Sequence, residues 1–318
     1  MTNLATNLTS TAATNAEQDA LRINGQGVTY AQLHAMAAAV AGTLRANGIQ
    51  PGDRVAIILP NVPAFPVVYW GILLAGRIVV PMNPLLKAGE IDYFFTDSGA
   101  KIAFVWPDFV PEATKGAQNS GTQIIECGPM GPVAGSFEGG DPITDPHERA
   151  DDDTAIILYT SGTTGRPKGA ELTHSNIHLN ALRSAKVIQQ MTADDIVMGC
   201  LPLFHVFGLV VGLNAATIAG ASLALIPRFD PAAAIEVIEK ERVTIMQGVP
   251  TMYAAILNHP ASDGMDASSL RTCASGGSAM PLEVMRSFEE KFGCVILEGY
   301  GLSETSPVAS FNMPTMER

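Results

Sequence analysis

Short runs of aliphatic residues recur along this chain, each followed by a stretch with helical spacing, and that alternation constrains the fold more than any other feature. The runs RVAIILP (54–60), RIVVPMN (77–83), KIAFVW (101–106) and TQIIEC (122–127) are almost continuously apolar inside. Strands of that kind need cover on both faces. Helical patterns lie between them, over about 62–76 and in AGEIDYFFTDSG. The alternation resumes with TAIILYT (154–160), DIVMGCLP (195–202), TIMQGV, LRTCASG and VILEGYG, spaced by helical stretches such as DPAAAIEVIEKERV and PLEVMRSFEEKFG. Strands spaced by helices make βαβ units, so the expected class is α/β, with largely parallel sheets flanked by helices. Between the two series, residues 128–153 are dense in Gly, Pro and Asp and read as a surface connection joining lobes of about 19–127 and 154–318. Asp230-Pro231 and Met280-Pro281 place proline at helix starts, and Gly293 closes a helix. Residues 1–18, rich in Thr, Asn and Ala, read as a disordered tail, with no basic start and apolar core of a secretory signal.

Composition narrows the partners. The formal net charge is −12, with 47% hydrophobic residues in 318. A nucleic acid or an anionic membrane is held by clusters of Lys and Arg, so neither is expected as a partner, and an anionic ligand must be met by a local cationic pocket. Cys127, Cys200, Cys273 and Cys294 form no CxxC pair and sit in or beside apolar runs; they read as buried thiols in a reducing, cytoplasmic setting. The uncharged stretch 206–227 is long enough to span a bilayer, but Gly220, the strand-like ASLALI and Pro227 read it as helix, turn and strand.

The segment LYTSGTTGRPKG (158–169) carries the chemistry. Glycines that permit positive φ, backbone N–H groups and a lysine can curl around an anion, and hydroxyls add donors to phosphate oxygens. The spacing is not that of a Walker loop, because Gly162 and Gly165 are separated by two residues and Lys168 lies three further on. Taken alone, GTTG is better read as a loose Ser/Thr/Gly turn. His205, between Phe204 and Val206, reads from its neighbours as a buried core histidine. Glu304 alone could be a solvated carboxylate at a helix start.

The longer stretch YTSGTTGRPKGAELTHSN resembles the phosphate loop of the adenylate-forming enzymes, which include acyl- and aryl-CoA synthetases, luciferases and nonribosomal adenylation domains. Three further segments follow in that family's order: LPLFHVFG (201–208) is similar to its aromatic-His segment, ASGGSAMP (274–281) to its glycine-rich strand end, and EGYGLSETSP (298–307) to its adenine and metal motif. From about residue 20 onward the chain resembles the N-terminal domain of the adenylate-forming fold. VTYAQL, GIQPGDRVAIILPN and RPKGAELTHSN are most similar to fatty acid–CoA ligases.

The resemblance implies a reaction in which a fatty, medium- or long-chain carboxylate attacks the α-phosphorus of ATP to give acyl-AMP and pyrophosphate, and CoA then takes the acyl group. Charge on the phosphates must be neutralised while the nucleophile is held in line. Lys168 and the loop residues Thr160, Ser161, Gly162, Thr163, Thr164 and Gly165 would grip the phosphates. Glu304, with Thr160, would hold Mg²⁺. Tyr300 would stack on adenine, Gly277, Ser278 and Gly301 would allow close backbone approach, and Ser303 stands where many members of the family have Thr. His205 would orient the substrate carboxylate, and Phe207, Gly208, Val249 and Gly276 would line the acyl pocket.

The family's Asp-bearing ribose segment, hinge and C-terminal lid, with its catalytic lysine, are not found in these 318 residues. The expectation is therefore a ligase fragment with weak ATP binding and little turnover as it stands. A ligase passing acyl-AMP to a carrier protein, or a non-catalytic nucleotide- or acyl-binding module, are the alternative functions. No transmembrane span is expected; a peripheral membrane contact and a homodimer stay open.

Overall fold

The computed structural model describes residues 3–135, 137–160 and 165–313. The chain opens with helix α1 (Thr6–Thr14) and the hairpin β1 (Asp19–Ile23) and β2 (Gln26–Thr29), then continues into α2 (Tyr30–Ala46). Strands β3 (Arg54–Ile58), β4 (Ile78–Pro81), β5 (Ile102–Val105) and β6 (Gln123–Gly128) alternate with α3 (Ala64–Leu74), α4 (Ala88–Ser98) and α5 (Val110–Gly116). A two-residue strand β7 (Gly131–Pro132) follows, then the pair β8 (Thr154–Thr160) and β9 (Lys168–Thr173), and helix α6 (His174–Arg183). The remainder comprises β10 (Ile196–Gly199), α7 (Ala215–Ala219), β11 (Ser222–Leu225), α8 (Pro231–Lys240), β12 (Ile245–Gly248), α9 (Pro250–Leu257), β13 (Thr272–Ser275), α10 (Leu282–Phe292), β14 (Val295–Gly301) and β15 (Val308–Phe311).

The chain divides into two compact units. The first, Met1–Glu17, Tyr30–His178 and Leu203–His205, contains a seven-stranded sheet in the order β7-β6-β5-β3-β4-β8-β9. Its five central strands are parallel, with Val55 in register with both Val79 and Ile102. The edge strands β7 and β9 run antiparallel to their neighbours. Helix α3 is apolar on every side and each of its residues is buried, as an all-round hydrophobic helix requires.

The second unit, Gln18–Thr29, Leu179–Pro202 and Val206–Arg318, contains an eight-stranded sheet in the order β15-β14-β13-β12-β10-β11-β1-β2. The six strands from β14 to β1 are parallel. Met198, Met246, Tyr253, Phe288 and Ile296 belong to its core. Asp230 accepts from Ala233 N at 3.0 Å and caps α8, while Gly293 takes the left-handed conformation that ends α10. The apolar stretch 206–227 folds as π-helical turns over Phe207–Asn214, α7, a left-handed Gly220 and β11. Among the described residues no helix is long and apolar enough to cross a membrane. All four cysteines are buried, and burial pushes the thiols of Cys127 and Cys200 up to about 12.

Two expectations are corrected. The N-terminal segment is not a disordered tail from its third residue on: α1 buries Leu8 and Ala12, and Leu4 and Ala5 ahead of it are fully buried. Leu8 and Ala12 lie one helical turn apart and share a face. The polar residues that suggest disorder are tethers instead. The Asn3 amide donates to Leu73 O at 2.9 Å and His147 O at 2.8 Å, and Leu4 N donates to His174 Nδ1 at 3.0 Å.

The lobe boundaries also differ. Hairpin β1–β2 belongs to the second sheet, where Leu21 pairs in parallel with Leu223. β8 completes the first sheet beside β4, with Val79 opposite Ile156. The Gly/Pro/Asp-rich stretch packs on the first unit: Ile143 N donates to Ala38 O at 3.0 Å, His147 N donates to Leu74 O at 2.9 Å, and the Phe137 ring meets Phe104 edge-on at 5.5 Å. Strand pairing between distant segments, which local composition does not encode, sets the division.

The tether at His174 carries a pH prediction. Burial, reinforced by the Arg149 charge and opposed by Asp153 and Asp151, lowers its pKa from 6.5 to about 4. Because the folded value lies below the unfolded one, the contribution is fully present above pH 6.5 and is lost as pH falls toward 4, where the unfolded chain takes up a proton that the native ring refuses. A slope of about 1.4 kcal/mol per pH unit is expected across that window. Urea unfolding of wild type and His174→Asn at stepped pH checks it; parallel pH profiles would show that His174 is not the titrating group.

Candidate active site

In the first unit the segment 158–169 includes the end of β8 and the start of β9, which pair antiparallel. Thr160, the last residue of β8, stands in register with Lys168, the first of β9. Ser161, Gly162, Thr163 and Thr164 lie outside the described residues. Gly165 has φ 93°, a conformation glycine takes without strain, and Lys168 is exposed. Aromatic side chains brace the described residues on either side, at the end of β8 and just ahead of β9. Tyr93 Oη donates to Pro167 O at 2.8 Å, the Tyr159 ring stacks on Phe94 at 4.1 Å, and Tyr159 Oη donates to Asp97 Oδ2 at 2.7 Å. Desolvation, together with the Asp97 carboxylate, drives the Tyr159 pKa upward, so the phenol stays a proton donor.

His205 also lies in the first unit. The chain leading to it is fixed where Leu203 N donates to Asn61 Oδ1 at 2.9 Å. His205 has an exposed surface, against the expectation of a core histidine drawn from its neighbours alone. Partial burial lowers its pKa by desolvation, which favours the neutral ring.

The second unit brings several predicted residues around one cavity of 550 Å³ at the carboxyl ends of the adjacent parallel strands β13 and β14. Carboxyl ends of parallel strands are where open α/β sheets place ligands. Gly277, Ser278, Tyr300 and Gly301 all line it, with Glu298 and Asn312. Gly277 has φ 80°, and a Cβ there would lie 3.3 Å from Val249 Cγ1. A side chain at Gly301 would run into Pro307 O. The Tyr300 ring is 64% exposed, a large aromatic face left open beside the glycines. Glu298, which the sequence reading did not single out, accepts from Met280 N at 2.8 Å and ties the glycine-rich strand end to β14.

Beyond β14 the chain makes a single 3₁₀ turn, Ser303–Thr305, which carries Ser303 and the exposed Glu304. The turn closes on itself through Thr305 N to Leu302 O and Leu302 N to Pro307 O, both 3.1 Å. Mg²⁺ typically takes one or two carboxylates and fills its other positions with waters and phosphate oxygens. A single exposed carboxylate such as Glu304 fits that demand, and among the described residues no cluster of three or more His, Cys, Asp or Glu offers a denser site.

Of the predicted acyl-pocket residues, Phe207, Val249 and Gly276 come together. Phe207 clusters with Leu201 and Val211, with Val249 and Met252 packed against them, and a Cβ on Gly276 would lie 3.1 Å from the Phe207 ring. Gly208 is explained otherwise, since a side chain there would sit 2.5 Å from Pro202 O. Within the π-helical turns the Val211 carbonyl accepts from Gln247 Nε2 at 2.7 Å.

Parallel sheets flanked by helices, with a glycine-lined cavity at the strand ends of the second unit, define an α/β protein. The chain belongs to the AMP-binding enzyme family, whose model matches residues 8–318. It is 33% identical to a long-chain-fatty-acid–CoA ligase of Bacillus subtilis, over 96% of this chain and 60% of that protein. The fold is similar to a benzoate CoA ligase from Burkholderia xenovorans (TM-score 0.90, 30% identity, 98% of this chain and 63% of that one). It is equally similar to the N-terminal domain of FACL13 from Mycobacterium tuberculosis (TM-score 0.89, 29% identity, 98% and 79%). The chain thus spans about 60% of the length of the curated ligase it matches.

Proposed function

We propose that this chain is the nucleotide- and carboxylate-binding part of an AMP-forming acid–CoA ligase that activates a medium- or long-chain fatty acid. The observation that carries the reading is the cavity that Gly277, Ser278 and Gly301 line beside the open face of Tyr300. In this reading adenine stacks on Tyr300 and the backbone at Gly277–Ser278 lies against it, as in other aromatic base platforms. Lys168 and the hydroxyls of residues 160–164 neutralise the phosphates, and Glu304 with Thr160 holds Mg²⁺, which supplies charge neutralisation on the phosphate oxygens. His205, neutral because of its lowered pKa, donates to and orients the acid carboxylate. Phe207, Val249 and Gly276 contact the first carbons of the acyl chain. The products are acyl-AMP and pyrophosphate, and CoA is the acceptor.

The fatty character of the acid is supported by the apolar Phe207 cluster and by the similarity to the Bacillus subtilis ligase. The benzoate ligase shows that this fold also accommodates aryl acids. Calorimetric titration with sulfamoyl adenylate analogues tests the choice: the dodecanoyl analogue is expected to bind at least tenfold tighter than the benzoyl one. The reverse order would assign an aryl acid, and no binding of either would reject the ligase reading. Tyr300→Ala is expected to weaken AMP binding about tenfold, since base–aromatic stacking contributes about 1–3 kcal/mol. Its melting temperature should hardly move, because the ring is mostly exposed. Unchanged AMP affinity would remove Tyr300 from the site.

A further inference from the structure

The turn that carries Glu304 does not hold its shape through its own bonds alone. It is followed by Ser306 at φ 70°, a left-handed conformation that a non-glycine residue adopts only when its surroundings enforce it. Besides the turn's own bonds, among them Ser306 N to Ser303 O at 3.2 Å, one side chain on α6 contributes contacts from outside the turn. Asn180 Nδ2 donates to Val308 O at 3.0 Å and to Thr305 O at 3.3 Å, and Val308 N donates to Asn180 Oδ1 at 3.2 Å. A single amide therefore grips the chain on both sides of Ser306 and Pro307. Its pair of bonds to Val308 imitates a strand partner, while the bond to Thr305 fixes the end of the 3₁₀ turn. The amide sits at the turn end of the β14–β15 hairpin, where register shifts between Tyr300 and Gly301.

We propose that Asn180 is a positioning residue for the Glu304 carboxylate, and through it for the bound metal–nucleotide, a reading that rests on Glu304 serving Mg²⁺ as proposed above. Removing the amide leaves Glu304 in place chemically but frees the turn to sample other shapes, so the carboxylate meets the metal in a smaller fraction of molecules. The loss falls on interactions that need the metal and spares those of the nucleotide base.

The experiment measures affinity of the chain for ATP with Mg²⁺, ATP with EDTA, and AMP, in wild type, Asn180→Ala, Asn180→Asp, Glu304→Gln and the Asn180→Ala/Glu304→Gln double variant. Asn180→Ala is expected to reduce Mg²⁺·ATP affinity about five- to tenfold while leaving AMP and metal-free ATP within twofold. Asn180→Asp keeps the acceptor for Val308 N but loses both donors, and is expected to show a loss of similar size. The double variant should lose no more than Glu304→Gln alone, because two residues acting in series are non-additive. Equal losses for all three ligands, or additive losses in the double variant, would make Asn180 a purely structural residue and overturn the proposal. Absence of Mg²⁺·ATP binding in wild type, or unchanged metal dependence in Glu304→Gln, would overturn the functional reading and this inference with it.

Discussion

Lys168→Ala is expected to weaken ATP binding about ten- to a hundredfold while leaving adenosine binding unchanged. A charge-assisted hydrogen bond contributes about 1.5–3 kcal/mol, and each 1.4 kcal/mol is a factor of about ten. Lys168 is suited to deliver that contribution because it opens β9 opposite Thr160, where the Tyr93 bond to Pro167 O fixes the backbone just ahead of it and Lys168 itself is exposed. The net charge of −12 sharpens the expectation: with 31 acidic residues against 19 basic ones, removing a cation at a phosphate site leaves the anion facing a more repulsive field. Raising the salt concentration should therefore weaken ATP binding in wild type more than in the variant. Lys168→Arg is expected to recover only part of the affinity, since a planar guanidinium does not replace a compact ammonium. Titration of ATP and adenosine against the three proteins decides it, and equal ATP affinity in Lys168→Ala would take the turn out of the nucleotide site.

Leu8→Ala is expected to lower unfolding stability by about 3 kcal/mol, as leucine-to-alanine changes at fully buried sites do. Leu8 is completely buried on α1. For a chain of this size the change corresponds to a drop in melting temperature of several degrees. Ser10→Ala, on the exposed side of the same helix, should stay within about 0.5 kcal/mol of wild type. Chemical denaturation of both variants checks the pair. A Leu8→Ala protein as stable as wild type would mean that the segment does not dock in solution.

The sequence makes the sheets easy to read and their assembly hard to read. Central parallel strands such as Ala56–Ile58 and Ile102–Val105 are buried on both faces, so each shows as an uninterrupted apolar run. The start of α8 is legible because Asp230 and Pro231 each have one clear stereochemical use there. The N-terminal helix is illegible for the opposite reason: two leucines among threonines and asparagines carry little hydrophobic pattern, and the burial of Asn3 and Asn7 depends on partners far along the chain, Leu73, His147 and His178. Hairpin β1–β2 is misassigned from sequence because neighbours along the chain are taken as neighbours in a sheet. The π-helical turns at Phe207–Asn214 shift backbone bonds without any compositional mark.

The same contrast runs through the candidate site. Tyr300, Gly277 and Gly301 are legible from motif and share a cavity. Gly208 has an ordinary packing explanation. Glu298 and Asn180 act by holding backbone, and a side chain whose work is done on a distant main-chain group has no local spacing to betray it.

The hairpin at residues 19–29 has a consequence for biosynthesis. It lies between two segments of the first unit, yet its sheet partner is far downstream: Ser222 Oγ donates to Asp19 O across a separation of 203 residues. A ribosome emits the hairpin early and its docking strand late, so β1 leaves the exit tunnel with an open edge and waits while most of the first unit is made. An unpaired strand is a template for wrong pairing. Slowing translation between residues 30 and 220 should therefore prolong the interval in which nascent chains are vulnerable to aggregation, and a chaperone that covers an extended edge would find its client in that interval.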